Sequence, residues 1–121
     1  MNEIAVYHDI HTARLIDGLT DLQRGIHELA VDKGWWTEPR NDGELIALIH
    51  SEASECLEAL RHGNPPDDKL PEFSGAEVEL ADAVIRILDM AEARGWRVAE
   101  AIVAKHEFNR SREWKHGGKK F

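Results

Sequence analysis

Glu52 with Glu55, and Glu79 with Asp82, form two acid-x-x-acid steps. Residues three apart share one face of a helix, with about 5–6 Å between Cβ atoms. Reading Leu45, Leu48, Ile49, Ala53, Cys56, Leu57 and Leu60 as one amphipathic helix, the apolar stripe runs through the position of Glu52. At roughly 100° per residue, Glu52 falls between Leu48 and Cys56, and Glu55 falls on the stripe's edge. A carboxylate facing a core costs several kcal/mol unless it is paired or binds a metal. Four acids converging from two helices therefore point to a divalent cation. With no paired His or Cys beside them, the hard oxygen-seeking ions come first, Mg²⁺ or Mn²⁺ before Zn²⁺. A di-iron bundle needs Glu-x-x-His on two inner helices, and Glu113 to His116 is the one such step here. No Asp-rich loop of the calcium-hand pattern occurs.

Other residues carry weaker signals. Glu79, Asp82, Arg86 and Asp89 line one strip of their helix beside its apolar arc. As a solvated face, the strip would hold Asp82–Arg86 as an i,i+4 ion pair worth a few tenths of a kcal/mol. Trp35 and Trp36 suit an aromatic wall for a nucleobase, and equally a loop packed on the helices. Lys105, Asn109 and Arg112, spaced four and three, share a face of the last helix. Two cations flanking an amide suit phosphate and sugar oxygens, although a solvated basic face would need no ligand. The seven histidines do not cluster and read as surface or satisfied groups. Cys56 reads as a small core residue.

These side chains need elements to hold them. The spacing predicts a first helix over about Thr12 to Asp32, closed by Gly34, and a second from Asn41 or Asp42 to about His62. Residues 63–75 hold three prolines, two glycines and two consecutive aspartates, and read as a loop. A third helix is expected over Ala76 to Arg94, ending at Gly95, and a fourth over Val98 to Arg112. Strand patterning is absent, so the expected fold is all-α, a bundle of about four helices. At 121 residues the chain reads as one domain, 1–121, with a basic tail over 113–121. A lone cysteine, no apolar run near the ~20 residues of a membrane span, and no leader-like start give a cytoplasmic expectation. A net charge of −8 argues against nucleic-acid polymers as partners.

The stretch Ser51-Glu52-Ala53-Ser54-Glu55, followed by Glu79-Leu80-Ala81-Asp82, resembles the Glu-Glu-x-x-Glu … Glu-x-x-Asp signature of MazG-like nucleoside triphosphate pyrophosphohydrolases. These belong to the all-α NTP pyrophosphatase superfamily. Lys105-x-x-x-Asn109-x-x-Arg112, then His116-Gly117-Gly118-Lys119, resembles the tail common in that family. The likeness runs from about Gly34 to the end. It implies Mg²⁺-dependent hydrolysis of a nucleoside triphosphate, NTP or dNTP, to the monophosphate and pyrophosphate by a metal-activated water. Glu52, Glu55, Glu79 and Asp82 would hold the ion, with Mn²⁺ as a substitute. Glu52, the most desolvated, would be the base. Lys105, Asn109, Arg112 and Lys119 would hold phosphate and sugar, and Trp35 or Trp36 the base. A homodimer or homotetramer (a dimer of dimers) is also implied. Ser51 replaces the first family glutamate, which bears on the number of ions; Asp89 and Glu58 are placed to compensate, and neither is assigned that role. A narrower relative (a dUTP/dCTP or phosphoribosyl-ATP pyrophosphohydrolase) shares the metal chemistry, and Ser51 also suits a catalytically silent helical interaction module.

Overall fold

Helix boundaries in this chain have local causes, and they set where the acids lie. The computed structural model describes residues 3–112, with side chains from residue 10 onward. Four helices follow in order: α1 (Glu3–Asp32), α2 (Asp42–Arg61), α3 (Gly75–Arg94) and α4 (Val98–Arg110). The fold is all-α as expected. Among the described residues the nearest approach to a strand is a lone bridge between Pro66 and Ser74.

Extended Asn41 caps α2 by accepting from the Glu44 amide at 2.8 Å. After His62 the chain turns through Gly63 (φ +81°) and Asn64 (φ +51°), both left-handed, a conformation that ends helices. Ser74 and Glu77 form a reciprocal capping box at the start of α3. Asn64 Oδ1 accepts from the Ala76 amide at 2.9 Å, satisfying a further free donor of that first turn. Gly75 allows a close approach here: a Cβ would lie 3.1 Å from the Ala59 Cβ, tighter than ordinary contact. The start of α3 is thus pressed against the end of α2. Gly95 (φ +70°) closes α3 in the left-handed conformation.

Two boundaries differ from expectation. Helix α1 begins at Glu3 rather than Thr12; the residues before Thr12 include no glycine or proline to stop a helix. Helix α4 ends at Arg110, so Arg112 lies past its last turn, its amide on the Asn109 carbonyl at 3.2 Å. The tail 113–121, with Lys119, lies outside the described residues.

Contacts group the chain into two units. Residues 23–96 form one, in which α2 and α3 pack along each other. Leu45, Cys56, Ala76, Leu88, Met90 and Ala91 are its buried apolar residues, and Leu88, 2% exposed, anchors them. Gln23 is buried too, its amide donating to Glu92 Oε2 at 3.0 Å. The described residues 3–22 and 97–112 form the other unit, where Ala99 is buried and Ile102 and Phe108 are exposed. No described helix is long and apolar enough to cross a membrane.

Candidate functional site

Helical geometry puts Glu52 among Leu45, Leu48 and Cys56, and the packing of α3 on that stripe buries it to 6% exposure. Arg86 of α3 crosses to it: the guanidinium Nε donates to Glu52 Oε1 at 2.7 Å. Arg86 therefore pairs between helices and not with Asp82 one turn behind it. Glu52 Oε2 is buried and has no hydrogen-bond donor. Such an orphan is rare in folded proteins and signals a missing partner.

Glu55 and Glu79 supply the neighbours. One carboxylate oxygen from each of Glu52, Glu55 and Glu79 lies within 4.8 Å of the others, the former buried, the next exposed and the last half-buried. A divalent ion about 2.1 Å from each oxygen would space ligand pairs by about 3–4.2 Å. Small side-chain rotations of three glutamates close that gap. The all-oxygen donor set and the orphaned Oε2 both fit a hard cation.

The other expected acids sort differently. Asp82 stays outside this triangle, half-buried in the adjoining cleft beside Glu52 and Arg86. Ser51 brings no ligand, because its hydroxyl donates to the Leu48 carbonyl at 2.7 Å. Asp89 is committed to Trp36 Nε1, 3.1 Å from each of its oxygens, and to His27 Nδ1 at 2.7 Å. Glu58 is exposed beside Arg61 and His62. Neither Asp89 nor Glu58 replaces the missing family glutamate.

The electrostatics separate the three ligands. Burial pushes Glu52 up, but its close neighbours Glu55, Arg86 and Glu79, together with the Arg86 charge, outweigh it and hold the carboxyl below its ordinary value. Spacing along α2 shows the burial of Glu52 but not these neighbours. Glu55 is raised, chiefly by the proximity of the Glu52 carboxylate. Glu79 is pushed up to about 7 by burial and by its two acidic neighbours. Asp82 is raised by burial and by the Glu52 charge, partly offset by Arg86.

A pH dependence follows. Glu79 binds its proton more tightly folded than unfolded, so its stabilising contribution is complete below its ordinary value of 4.5 and is lost as pH rises through about 7. Glu55 acts in the same direction, whereas the Glu52 contribution is constant above its ordinary value. A divalent ion replaces those protons. Mn²⁺ is therefore expected to raise the melting temperature more at about pH 8 than at about pH 6. Thermal melts in EDTA and in Mn²⁺ at both values check this; equal shifts would mean that these acids do not take the ion.

A cleft of ≈ 390 Å³ opens beside the acids, floored by Ile26, Leu29, Ala30 and Ile85 and rimmed by Lys33, Trp35 and Arg40. Trp35 is 59% exposed at its edge. Trp36 is different: its N–H is bound to Asp89, and the Arg40 and Arg94 guanidiniums lie 5.1 and 5.9 Å from its ring centroid. Arg94 is itself fixed by Asp42 Oδ1 at 2.7 Å and the Arg40 carbonyl at 2.6 Å. Trp36 is thus engaged on several sides by protein groups, whereas Trp35 faces the cleft. The Asp89–His27–Trp36 junction was missed by sequence reasoning; its members are 62 and 53 residues apart in pairs, and no spacing rule links them.

Lys105 and Asn109 line a shallow groove on α4 with Val98, Ala101, Ile102 and His106. Lys105 Nζ lies 4.6 Å from the Phe108 ring centroid, and Arg112 is exposed.

Over 93 residues the chain is 32% identical to a dATP/dGTP diphosphohydrolase of Cyanophage S-2L, an alignment covering 74% of this chain and 77% of that protein. No family profile matches the chain. No solved structure matches it. Extensive alignment to that relative and a two-helix acidic centre lead to one assignment: the chain belongs to the MazG-type nucleoside triphosphate pyrophosphohydrolases.

Proposed function

We propose that this protein hydrolyses a nucleoside triphosphate to the monophosphate and pyrophosphate, with Mg²⁺ held by Glu52, Glu55 and Glu79. The observation that carries this reading is the buried, donor-less Glu52 Oε2 beside two further carboxylates. Bound there, Mg²⁺ supplies charge neutralisation on the phosphate oxygens and activation of the attacking water. Asp82, on the cleft side, would add a further carboxylate. Glu52, bonded to Arg86 in the metal-free protein, would give its donor-less oxygen to the ion. The water's proton is assigned to Glu55 or Glu79, whose carboxyls are raised where that of Glu52 is lowered. Trp35 stacks on the base over the apolar floor of the cleft. Lys105, Asn109, Arg112 and Lys119 hold phosphate oxygens, in their own site or in that of a second copy.

The test is pyrophosphate release from a panel of NTPs and dNTPs with and without Mg²⁺, with dATP and dGTP first because of the relative's name. Pyrophosphate without orthophosphate supports the reading. Release confined to dUTP, dCTP or phosphoribosyl-ATP would place the chain with a narrower relative. Release from no substrate would favour the silent module, which Ser51, turned back onto its own helix, also suits.

Assembly is part of the proposal. Leu80, Val84 and Ile87 are 56%, 50% and 38% exposed and share one side of α3, opposite Asp82, Arg86 and Asp89. Leu57 and Leu60 add an exposed apolar face on α2. Contiguous apolar surface on so small a chain marks an interface. A second copy covers it, giving a homodimer or a dimer of dimers. Light scattering is expected to return two or four times the 13.7 kDa chain mass, and Val84→Asp to lower it. A fully active 13.7 kDa particle would overturn the assembly.

A further inference from the structure

Arg86 occupies an unusual place for a cation: it lies against a carboxylate that the site offers to a metal. The pair with Glu52 is 2.7 Å long, and the two side chains differ in access, 32% exposed for Arg86 and 8% for Glu52. Among the described residues only the guanidinium Nε is engaged, on Glu52 Oε1. An arginine carries five donors in a planar fork, so the Nη groups remain for another acceptor. Arg86 also lines the ≈ 390 Å³ cleft, with Asp82 and Trp35.

Charge balance argues that this pairing belongs to the metal-free protein. There, Arg86 is the cation bonded to Glu52, and without it Glu52 would be a buried, uncompensated anion. A divalent ion takes over that neutralisation and repels the guanidinium at short range. The nucleotide then brings about four further negative charges into the adjoining cleft. A long side chain with a free fork, one third exposed and facing that cleft, has a new anion within reach as its old one is taken.

We propose that Arg86 is the resident counter-ion of the acidic centre before metal binds and becomes a substrate-binding residue, holding phosphate oxygens of the bound nucleotide, once ion and substrate enter. This rests on the pyrophosphohydrolase reading above. Arg86 is then both a competitor of free metal and a partner of the metal–nucleotide complex. The two roles carry opposite signs.

The experiment measures two affinities on the full chain: Mn²⁺ alone by electron paramagnetic resonance, and α,β-methylene-dATP with Mg²⁺ by calorimetry. Circular dichroism confirms that each variant is folded. Arg86→Met is expected to bind Mn²⁺ alone about three- to tenfold more tightly, since a competing charge is gone. The same variant is expected to bind the nucleotide analogue about tenfold or more weakly, having lost a charge-assisted fork. Arg86→Lys keeps the charge without the fork, so its Mn²⁺ affinity stays near wild type while its analogue affinity falls between the other two. It carries the test if Arg86→Met does not fold. Weaker or unchanged Mn²⁺ binding in Arg86→Met would overturn the proposal and leave Arg86 as a support for Glu52. Unchanged analogue affinity in Arg86→Met, with a wild type that releases pyrophosphate, would overturn it while the enzymatic reading stands. A wild type that binds Mn²⁺ but neither binds the analogue nor releases pyrophosphate from any nucleotide would remove that reading, and this role with it.

Discussion

Glu52→Gln is expected to lower Mg²⁺-dependent pyrophosphate release by about 10³-fold, the equivalent of several kcal/mol of lost transition-state charge stabilisation. The substitution keeps the shape and the neutral acceptor for Arg86 Nε, so the 2.7 Å contact between α2 and α3 survives in weaker form. What it removes is the anionic oxygen that lies buried without a donor. It also removes one of three mutually repelling carboxylates, the repulsion that helps push Glu79 up to about 7. The metal-free variant is therefore expected to melt no lower than wild type, and its melting temperature should no longer respond to Mn²⁺. Active centres commonly trade stability for function in this way. Parallel melts in EDTA and Mn²⁺, with a pyrophosphate assay, check both halves. A variant that keeps near-normal turnover would place the chemistry elsewhere in the molecule. Glu55→Gln and Glu79→Gln, assayed alongside across pH, identify which of the two takes the proton.

Much of this centre was legible from periodicity alone. An α-helix fixes angular position, so Glu52 in the middle of the Leu45–Cys56 stripe had to face the packed side of α2. Gly95, Asn41 and the proline-rich 63–75 stretch marked the helix ends closely because their causes are local. Asp82 shows where angular reasoning stops. It is about 60° around α3 from Glu79 and one methylene shorter, enough to leave its oxygens in the cleft and outside the triangle of glutamates. Arg86 shows the same limit for charge. Spacing offers it Asp82 at i−4, whereas the desolvated Glu52 across the helix interface is the stronger partner. With these neighbours the Glu52 carboxyl is lowered, while those of Glu55 and Glu79 are raised. Trp36 had two readings from its sequence position, and only contacts with residues on α1 and α3 decide between them.

Those contacts make Asp89 the second place where a single change has a large expected effect. Its carboxylate, 14% exposed, accepts from Trp36 Nε1 on both oxygens and from His27 on one. An ionised carboxylate only accepts, so His27 Nδ1 carries the proton. The His27 ring meets the Trp36 ring edge-on at 5.3 Å, and the Arg40 guanidinium lies over that ring. One side chain thus ties the second half of α1, the loop after it and α3 together at the wall of the cleft. Asp89→Ala would leave a half-buried indole N–H and an imidazole N–H without acceptors. Each unsatisfied group costs roughly 1–3 kcal/mol, so a loss of about 2–4 kcal/mol in unfolding free energy is expected. Asp89→Asn keeps an acceptor for Trp36 but loses the charge, and should lie between. Urea titrations of the metal-free variants measure the loss. Because Asp89 stands outside the glutamate triangle, the Mn²⁺ affinity of folded Asp89→Ala should fall far less than that of Glu52→Gln. The reverse order, a stable fold with abolished metal binding, would make Asp89 a ligand and return Trp36 to the role of a free stacking platform.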